Sequence, residues 1–577
     1  MSFFVHWRHP GTWKLFRLDD RLLLIIFGMI VGVCSGIASV ALNRSLAAML
    51  EWLHPFRHIW WGFLLPGLGA ALSSIFLNKI MKEGAGHGVP EVIYSISRYR
   101  GLLRFRTSFS RLISSCLTIG SGGSAGPEAP VVISGAAIGS NIAKLFSLND
   151  RQRVALVGCG AAGAISAIFN APIAGMVFSM EVILNEWSAV NIIPVGIASV
   201  AGTEISRILQ GNQIPFSHHQ FNIGFLDITA CLGLAIVTAI ASILFSRMIN
   251  YVHHRVDKVF LPAWVRAAVG GCVVGFLGFF LPVVLGEGYT PVRAAIEGTF
   301  TPGLAIVGLA TLGKIVATAL TLGSGGSGGI FAPCLVVGSF AGLTYHRALS
   351  LIWPHVAWTS EGCFALVGMA GLMSGVLQAP LTGIFLIVEV TGGYEVILPL
   401  IIVAAISTTI CHYVEPASFY LQELVERGPI RRPRTDAGIL ANLSLKELVD
   451  KDCIRVTQTM LLRDFLQAIK ESPNNCYPVE DEETGDFLGM ISLDDIKPYL
   501  LRSEMYDAVP IGQIMDIGPV VASPDDDLSE ILGRMEAQYL SAIPLVAKGK
   551  FIGMLAKATV LEHYRQELIA QTRHLKT

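Results

Sequence analysis

Three glycine-rich blocks dominate any search of this sequence for residues able to do chemistry. They are GAGHGVPE at Gly84–Glu91, GSGGSAGPEAP at Gly120–Pro130 and GSGGSGGIFAP at Gly323–Pro333. Glycines let a backbone turn tightly and leave amide N–H groups uncovered, and the start of a helix adds about half a positive charge. Apolar runs with helical character follow the second and third blocks, at Val131–Leu145 and Cys334–Leu349, and Pro90 suits the first turn of a helix after the first. Such places suit an anion. None ends in the GK[ST] of a nucleotide phosphate loop, so phosphate chemistry is not indicated. Glu128 stands inside the second block at the head of an apolar run. A carboxylate in that position competes with an anion for the same amides when charged and withdraws when protonated, which makes it a natural gate and proton acceptor. For Glu181 and Glu389, at the ends of later apolar runs, a packing or capping role is expected.

The elements that hold these residues belong to a membrane. The chain has 577 residues, 52% hydrophobic and 15% charged, with a mean hydropathy of +0.58. Of its 85 Asp, Glu, Lys and Arg, 40 fall after residue 430, so a membrane domain precedes a soluble one. Stretches free of acid, Lys and Arg over about the 20 residues a crossing helix needs include 22–43, 58–78, 228–246, 267–286, 315–346, 362–388 and 396–414. Between Leu112 and Val190 the apolar sequence is broken repeatedly by Gly and Pro, the sign of discontinuous helices meeting at a buried site.

Basic residues before the first span (Arg8, Lys14, Arg17, Arg21) and after the last (Arg427, Arg431, Arg432, Arg434) place both termini in the cytoplasm, and hence imply an even number of crossings of the cell (inner) membrane. The net charge of −1 offers no footprint for nucleic acid. Ten scattered cysteines, without CxxC or Cys/His spacing, support neither a disulfide framework nor a metal site. No nucleophile–base pair or cofactor fingerprint points to an enzyme.

The chain also repeats itself. Eight of eleven positions are identical between Gly120–Pro130 and Gly323–Pro333, where Phe331 takes the place of Glu128. GAISAIFNAPIAGMVFSMEV at Gly163–Val182 matches GLMSGVLQAPLTGIFLIVEV at Gly371–Val390 at seven of twenty positions. The offsets, 203 and 208, nearly agree. Two homologous halves place a substrate site at their interface near the bilayer midplane, with their relative orientation, parallel or inverted, left open by the sequence.

With these motifs in order, residues 20–428 resemble the chloride channel and transporter (CLC) family. GHGVPE is similar to its GSGIPE, GPEAP to its GREGP, GIFAP at Gly329–Pro333 matches outright, and SFYLQELVERG at Ser418–Gly428 is similar to the segment carrying its pore tyrosine. The resemblance implies an α-helical polytopic membrane protein with an inverted repeat of about 18 partly discontinuous helices. It also implies a homodimer with one chloride pathway per subunit, no required cofactor, Glu128 as gate and proton site, and chloride contacts at His87, Gly126, Ile330, Phe331 and Tyr420.

His87 replaces the family's usual serine, and an imidazole that gains charge below about pH 6.5 suggests a pH-sensitive anion entrance. Val182 stands where many family antiporters carry an internal proton-handling glutamate. That tilts the reading to a passive gated chloride channel, with a proton-coupled antiporter as the alternative and a membrane-bound sensor with vestigial transport as a third reading.

The expected organisation is a transmembrane domain over 1–430, a linker over 431–440, and two small α/β modules over 441–500 and 501–577. The first module reads as helix, strand, strand and helix, the second repeats helix, strand and strand in the same order, and the pair resembles two CBS domains. Some CBS pairs bind adenine nucleotides. The first copy keeps the matching Ser492 and Asp495, whereas the second has Ala556 and Thr559.

Overall fold

A computed structural model describes residues 20–57, 59–84, 88–212, 216, 221–426, 443, 445–472, 474–524 and 526–573. The chain divides into two compact units, Met1–Ile430 and Arg431–Thr577.

The first unit is helical and built twice. The first set is α1 (Asp20–Arg57), α2 (Leu65–Ile75), α3 (Val89–Tyr99), α4 (Thr107–Gly120), α5 (Glu128–Leu145), α6 (Asp150–Phe169), α7 (Pro172–Phe178, continued by a π-helical turn over Ser179–Ile183) and α8 (Ala189–Gln210). The second set is α9 (Phe225–Asp257), α10 (Ala263–Phe280), α11 (Tyr289–Ile296), α12 (Leu304–Gly323), α13 (Phe331–Ile352), α14 (Glu361–Leu377), α15 (Pro380–Thr391) and α16 (Ile397–Val414), followed by α17 (Phe419–Glu426). Among the described residues nine helices are long and apolar enough to cross a membrane. Two of the long charge-free stretches are each two helices. Residues 315–346 break at the third glycine block, and 362–388 break at Gln378, so the second half is as discontinuous as the first.

The same local chemistry makes the breaks in both halves. Gly122 and Gly325, at the 203-residue offset, have φ of +116° and +103°, a region L side chains rarely enter, so each loop needs its glycine there. Asn170 and Gln378, at the 208-residue offset, end α6 and α14 in the left-handed conformation (φ +56° and +52°). Pro172 and Pro380 then start the next helices, where a missing N–H costs nothing. Helices α5 and α6 cross at Gly135 and Gly160, and α13 and α14 at the equivalent Gly338 and Gly368. A Cβ on Gly135 would lie 2.2 Å from the Gly160 carbonyl oxygen, and one on Gly338 2.5 Å from that of Gly368. Close approach of backbones through small residues is how helices pack where no water drives them together.

Orientation follows from the caps. Glu181, at the end of α7, accepts from Leu381 N (3.2 Å) and from Thr382 N and Oγ1 (2.7 Å each) at the start of α15. Glu389, at the end of α15, accepts from Ile173 N (3.0 Å) and Ala174 N (2.7 Å) at the start of α7. Each helix ends where its twin begins, so the two run antiparallel and the repeat is inverted.

The second unit has a three-stranded sheet of β1 (Val456–Thr457), β2 (Cys476–Glu480) and β3 (Phe487–Ser492), and a hairpin of β4 (Ala542–Ala547) and β5 (Lys550–Ala556). Equivalent positions of β3 and β5 meet, with the Phe487 and Phe551 rings stacked at 6.2 Å. The sequence-contiguous modules exchange their leading segments. Leu448 packs with Leu528, Ile531 and Leu555 of the second, and Ile511 with Val456, Leu462 and Phe465 of the first.

Candidate functional site

The two central glycine blocks meet and exchange backbone hydrogen bonds. Gly126 N donates to Gly329 O (2.8 Å), and Gly329 N donates to Gly126 O (2.7 Å). The contact is reciprocal further out as well, with Ser124 N donating to Thr321 Oγ1 (3.0 Å) and Ser327 N to Thr118 Oγ1 (3.2 Å). The first turns of α5 and α13 therefore converge from opposite halves, each with amides that have no intrahelical acceptor.

Glu128 begins α5 and is wholly buried. Its Oε2 accepts from Ala332 N of α13 at 3.4 Å, and its Oε1 accepts from the Tyr289 hydroxyl of α11 at 2.5 Å. A carboxylate from one half thus occupies an amide at the helix start of the other. Gly126 makes this arrangement fit, because a Cβ there would lie 2.0 Å from Glu128 Oε2. Ile330 and Phe331 immediately precede that amide at the head of α13, and the buried Phe331 ring packs on Phe178 (centroids 5.4 Å, edge-on) and Phe169 (5.9 Å) of the first half. Tyr420, in α17, is 1% exposed, and its hydroxyl has no hydrogen-bond partner among the described residues. A buried hydroxyl without a partner costs about 1–3 kcal/mol, and an acceptor seated there removes that cost. Gly126, Glu128, Ile330 and Phe331 are thus brought together, with Tyr420 within electrostatic reach of Glu128. His87 lies outside the described residues.

On its other side Glu128 lines a cavity of about 460 Å3, together with the C-terminal half of α1, Phe216, Glu287, Tyr289 and Arg293. Tyr289 and Glu287 were not singled out by the sequence reasoning above. The signal was an acid between two glycines, GEGY at Gly286–Tyr289, at the edge of a charge-free stretch.

Val182 sits half-buried in the π-helical turn after α7. Glu181 beside it is committed to capping α15, so the capping role expected for Glu181 and Glu389 is what their bonds describe. In the second unit, Ser492 and Asp495 form a helix cap. Ser492 Oγ and N both donate to Asp495 Oδ2 (2.7 and 2.8 Å), and Asp495 N donates back to Ser492 Oγ (3.3 Å). Burial, with Asp450 adding to it, raises the Cys453 thiol to about 11, leaving it unreactive at neutral pH.

Known proteins match this description. The family model for the voltage gated chloride channel matches residues 69–412, and that for the CBS domain matches 445–502 and 511–565. The chain belongs to the voltage gated chloride channel family and carries a C-terminal pair of CBS domains; it is a multi-pass membrane protein. It is 26% identical to chloride channel protein CLC-f of Arabidopsis thaliana, over 94% of this chain and 79% of that one. It is 29% identical to the H(+)/Cl(-) exchange transporter ClcA of Vibrio cholerae, over 66% of this chain and 84% of that one. Its fold is that of a slow cyanobacterial Cl-/H+ antiporter, with a TM-score of 0.64 and 24% identity over 71% of this chain and 98% of the other.

Proposed function

We propose that this protein moves chloride across a cell membrane in exchange for protons, with Glu128 as both gate and proton carrier. The observation that carries this reading is the wholly buried Glu128 carboxylate resting on the Ala332 amide, at the place where the two glycine loops join. An anion crossing there needs that amide and its neighbours at Ile330 and Phe331, together with the Tyr420 hydroxyl and the room left by Gly126. The charged carboxylate competes for the same donors. Protonation removes its charge, weakens its hold on the amide and releases it toward Tyr289 and the cavity, so each opening of the path takes up a proton.

The exchange reading draws support from relatives named as exchange transporters. A passive gated channel is the second reading, and Val182 favours it because it puts a residue without a titratable proton directly after Glu181. We assign His87 the role of a further donor to chloride, from its place in the GHGVPE motif, with both termini in the cytoplasm of an inner-membrane homodimer. The CBS pair serves as a structural or regulatory unit, and adenine nucleotide is its candidate ligand.

Simultaneous recording of chloride and pH on proteoliposomes holding a chloride gradient tests the reading. Chloride efflux that drives protons uphill is expected. Chloride flux without proton movement selects the channel, and no flux selects a sensor role.

A further inference from the structure

The cavity side of Glu128 holds a second carboxylate that the gating scheme does not use. Glu287 sits between Gly286 and Gly288, both in the left-handed region (φ +58° and +86°). The turn is tied to the first half, since Gly286 N donates to Gly122 O (3.2 Å) in the loop that carries Glu128. It is also tied to α12, where the wholly buried Lys314 donates through Nζ to Gly286 O (2.7 Å) and Val284 O (3.2 Å). Glu287 lines the same cavity as Glu128 and Tyr289 and is within electrostatic reach of both. The cations facing it are Lys314 of α12 and Arg293 of α11, and Arg44 of α1 lines the cavity as well. A buried lysine needs a compensating charge, and Glu287 supplies one. Charge balance alone does not require this residue to line the cavity it shares with the gate.

We propose that Glu287 is the station through which Glu128 exchanges protons with the cavity. In loading, protonated Glu287 gives its proton through the Tyr289 hydroxyl, which already donates to Glu128 Oε1, to the Glu128 carboxylate. Tyr289 passes on one proton as it accepts another, and Glu287 is then reprotonated from cavity water. Unloading is the reverse. Lys314 keeps the relay competent in both states by offsetting the charge Glu287 gains when it gives up its proton. The proposal rests on the assignment of Glu128 as proton carrier, and it names the route by which that carrier is served.

The test uses the full chain in liposomes under a chloride gradient, recording chloride and protons together while the pH on the cavity side is varied. Glu287→Gln keeps the shape and removes the titratable proton. The ratio of chloride to protons moved is expected to rise about fivefold or more, a part of the 10²–10⁴ a positioned proton carrier contributes because water partly bypasses it. Glu287→Asp is expected to restore most of the proton movement, which a purely charge-balancing role of the lost carboxylate would not predict if Glu287→Gln remained as thermostable as the parent. Tyr289→Phe leaves Lys314 and its partner intact, and it carries the test should Glu287→Gln fail to fold. Unaltered stoichiometry and an unaltered pH profile in the folded variants overturn the relay. A parent protein that moves chloride without protons overturns the exchange reading instead. The relay is then judged by acid activation of chloride flux: a shift of about tenfold in the proton concentration needed by Glu287→Gln supports it, and an unshifted profile overturns it.

Discussion

The two halves of the membrane unit share helices, offsets, turn glycines and caps, yet they differ at the residue that opens their central helices. The first half places Glu128 there, and the second places Phe331. Both side chains are buried and both reach across the pseudo-twofold axis. Glu128 does so to take an amide of α13, and Phe331 to pack on Phe169 and Phe178. A symmetric scaffold thus carries an asymmetric centre. One half contributes a group that can gain and lose a proton, and the other contributes donors and an apolar wall. Symmetry builds the convergence of two helix termini, and the departure from symmetry makes the two ends of the path chemically unlike.

The largest effect expected is at that departure. Glu128→Gln is fixed in the neutral state, so proton movement in the proteoliposome assay is expected to fall about 100-fold or more, and chloride flux to lose its pH dependence. Retained pH dependence would place the gate elsewhere and dissolve the contrast between the halves.

Substitutions at equivalent positions ask how equal the rest of the scaffold is. Gly135→Ala and Gly338→Ala each force a Cβ against a carbonyl, at 2.2 and 2.5 Å, and each is expected to destabilise by about 1–3 kcal/mol or more, the first the more severely. Thermal unfolding of the detergent-solubilised variants measures the order, and a reversed order would mean that the first crossing yields more easily than its geometry suggests.

Glu181→Ala and Glu389→Ala each leave amides at a helix start without their acceptor, at about 1–3 kcal/mol. Glu181 also accepts from the Thr382 hydroxyl, whereas its counterpart faces Ala174, so Glu181→Ala is expected to cost about 1 kcal/mol more. Thr382→Ala in the Glu181→Ala background is expected to add little, and a large further loss would show that Thr382 acts independently of the cap. The smallest effect is expected in the second unit, where Ser492→Ala removes one cap, at about 1 kcal/mol, read in the melting of the full chain.

How much of this was legible in the sequence depends on whether a feature is local. The repeat was legible because order and spacing survive in one dimension, and the turn glycines because a φ above +100° leaves few alternatives to glycine. The inverted relation came only with the family resemblance and not from the repeat itself, since it resides in which helix start each of Glu181 and Glu389 caps, some 200 residues away. The charge-free stretches 267–286 and 315–346 end beside Glu287 and Lys314, and a charge at the rim of an apolar run reads as an interfacial anchor. The fold instead draws both inward, to the turn beside the gate. In the second unit the strands were legible from alternation and composition, but the exchange of leading segments was not, because Leu448 and Ile511 are apolar whichever module they complete.

The crossed caps on α7 and α15 also bear on how such a protein comes into being. Each half carries a donor pair that only the other half's carboxylate satisfies, so neither half is self-sufficient, but two copies of one half would be. An ancestral single half would assemble tail to head with its twin, and duplication of its gene would join in one chain what had already met as two. The present chain, severed between α8 and α9, should accordingly recover its fold only when both pieces are supplied together.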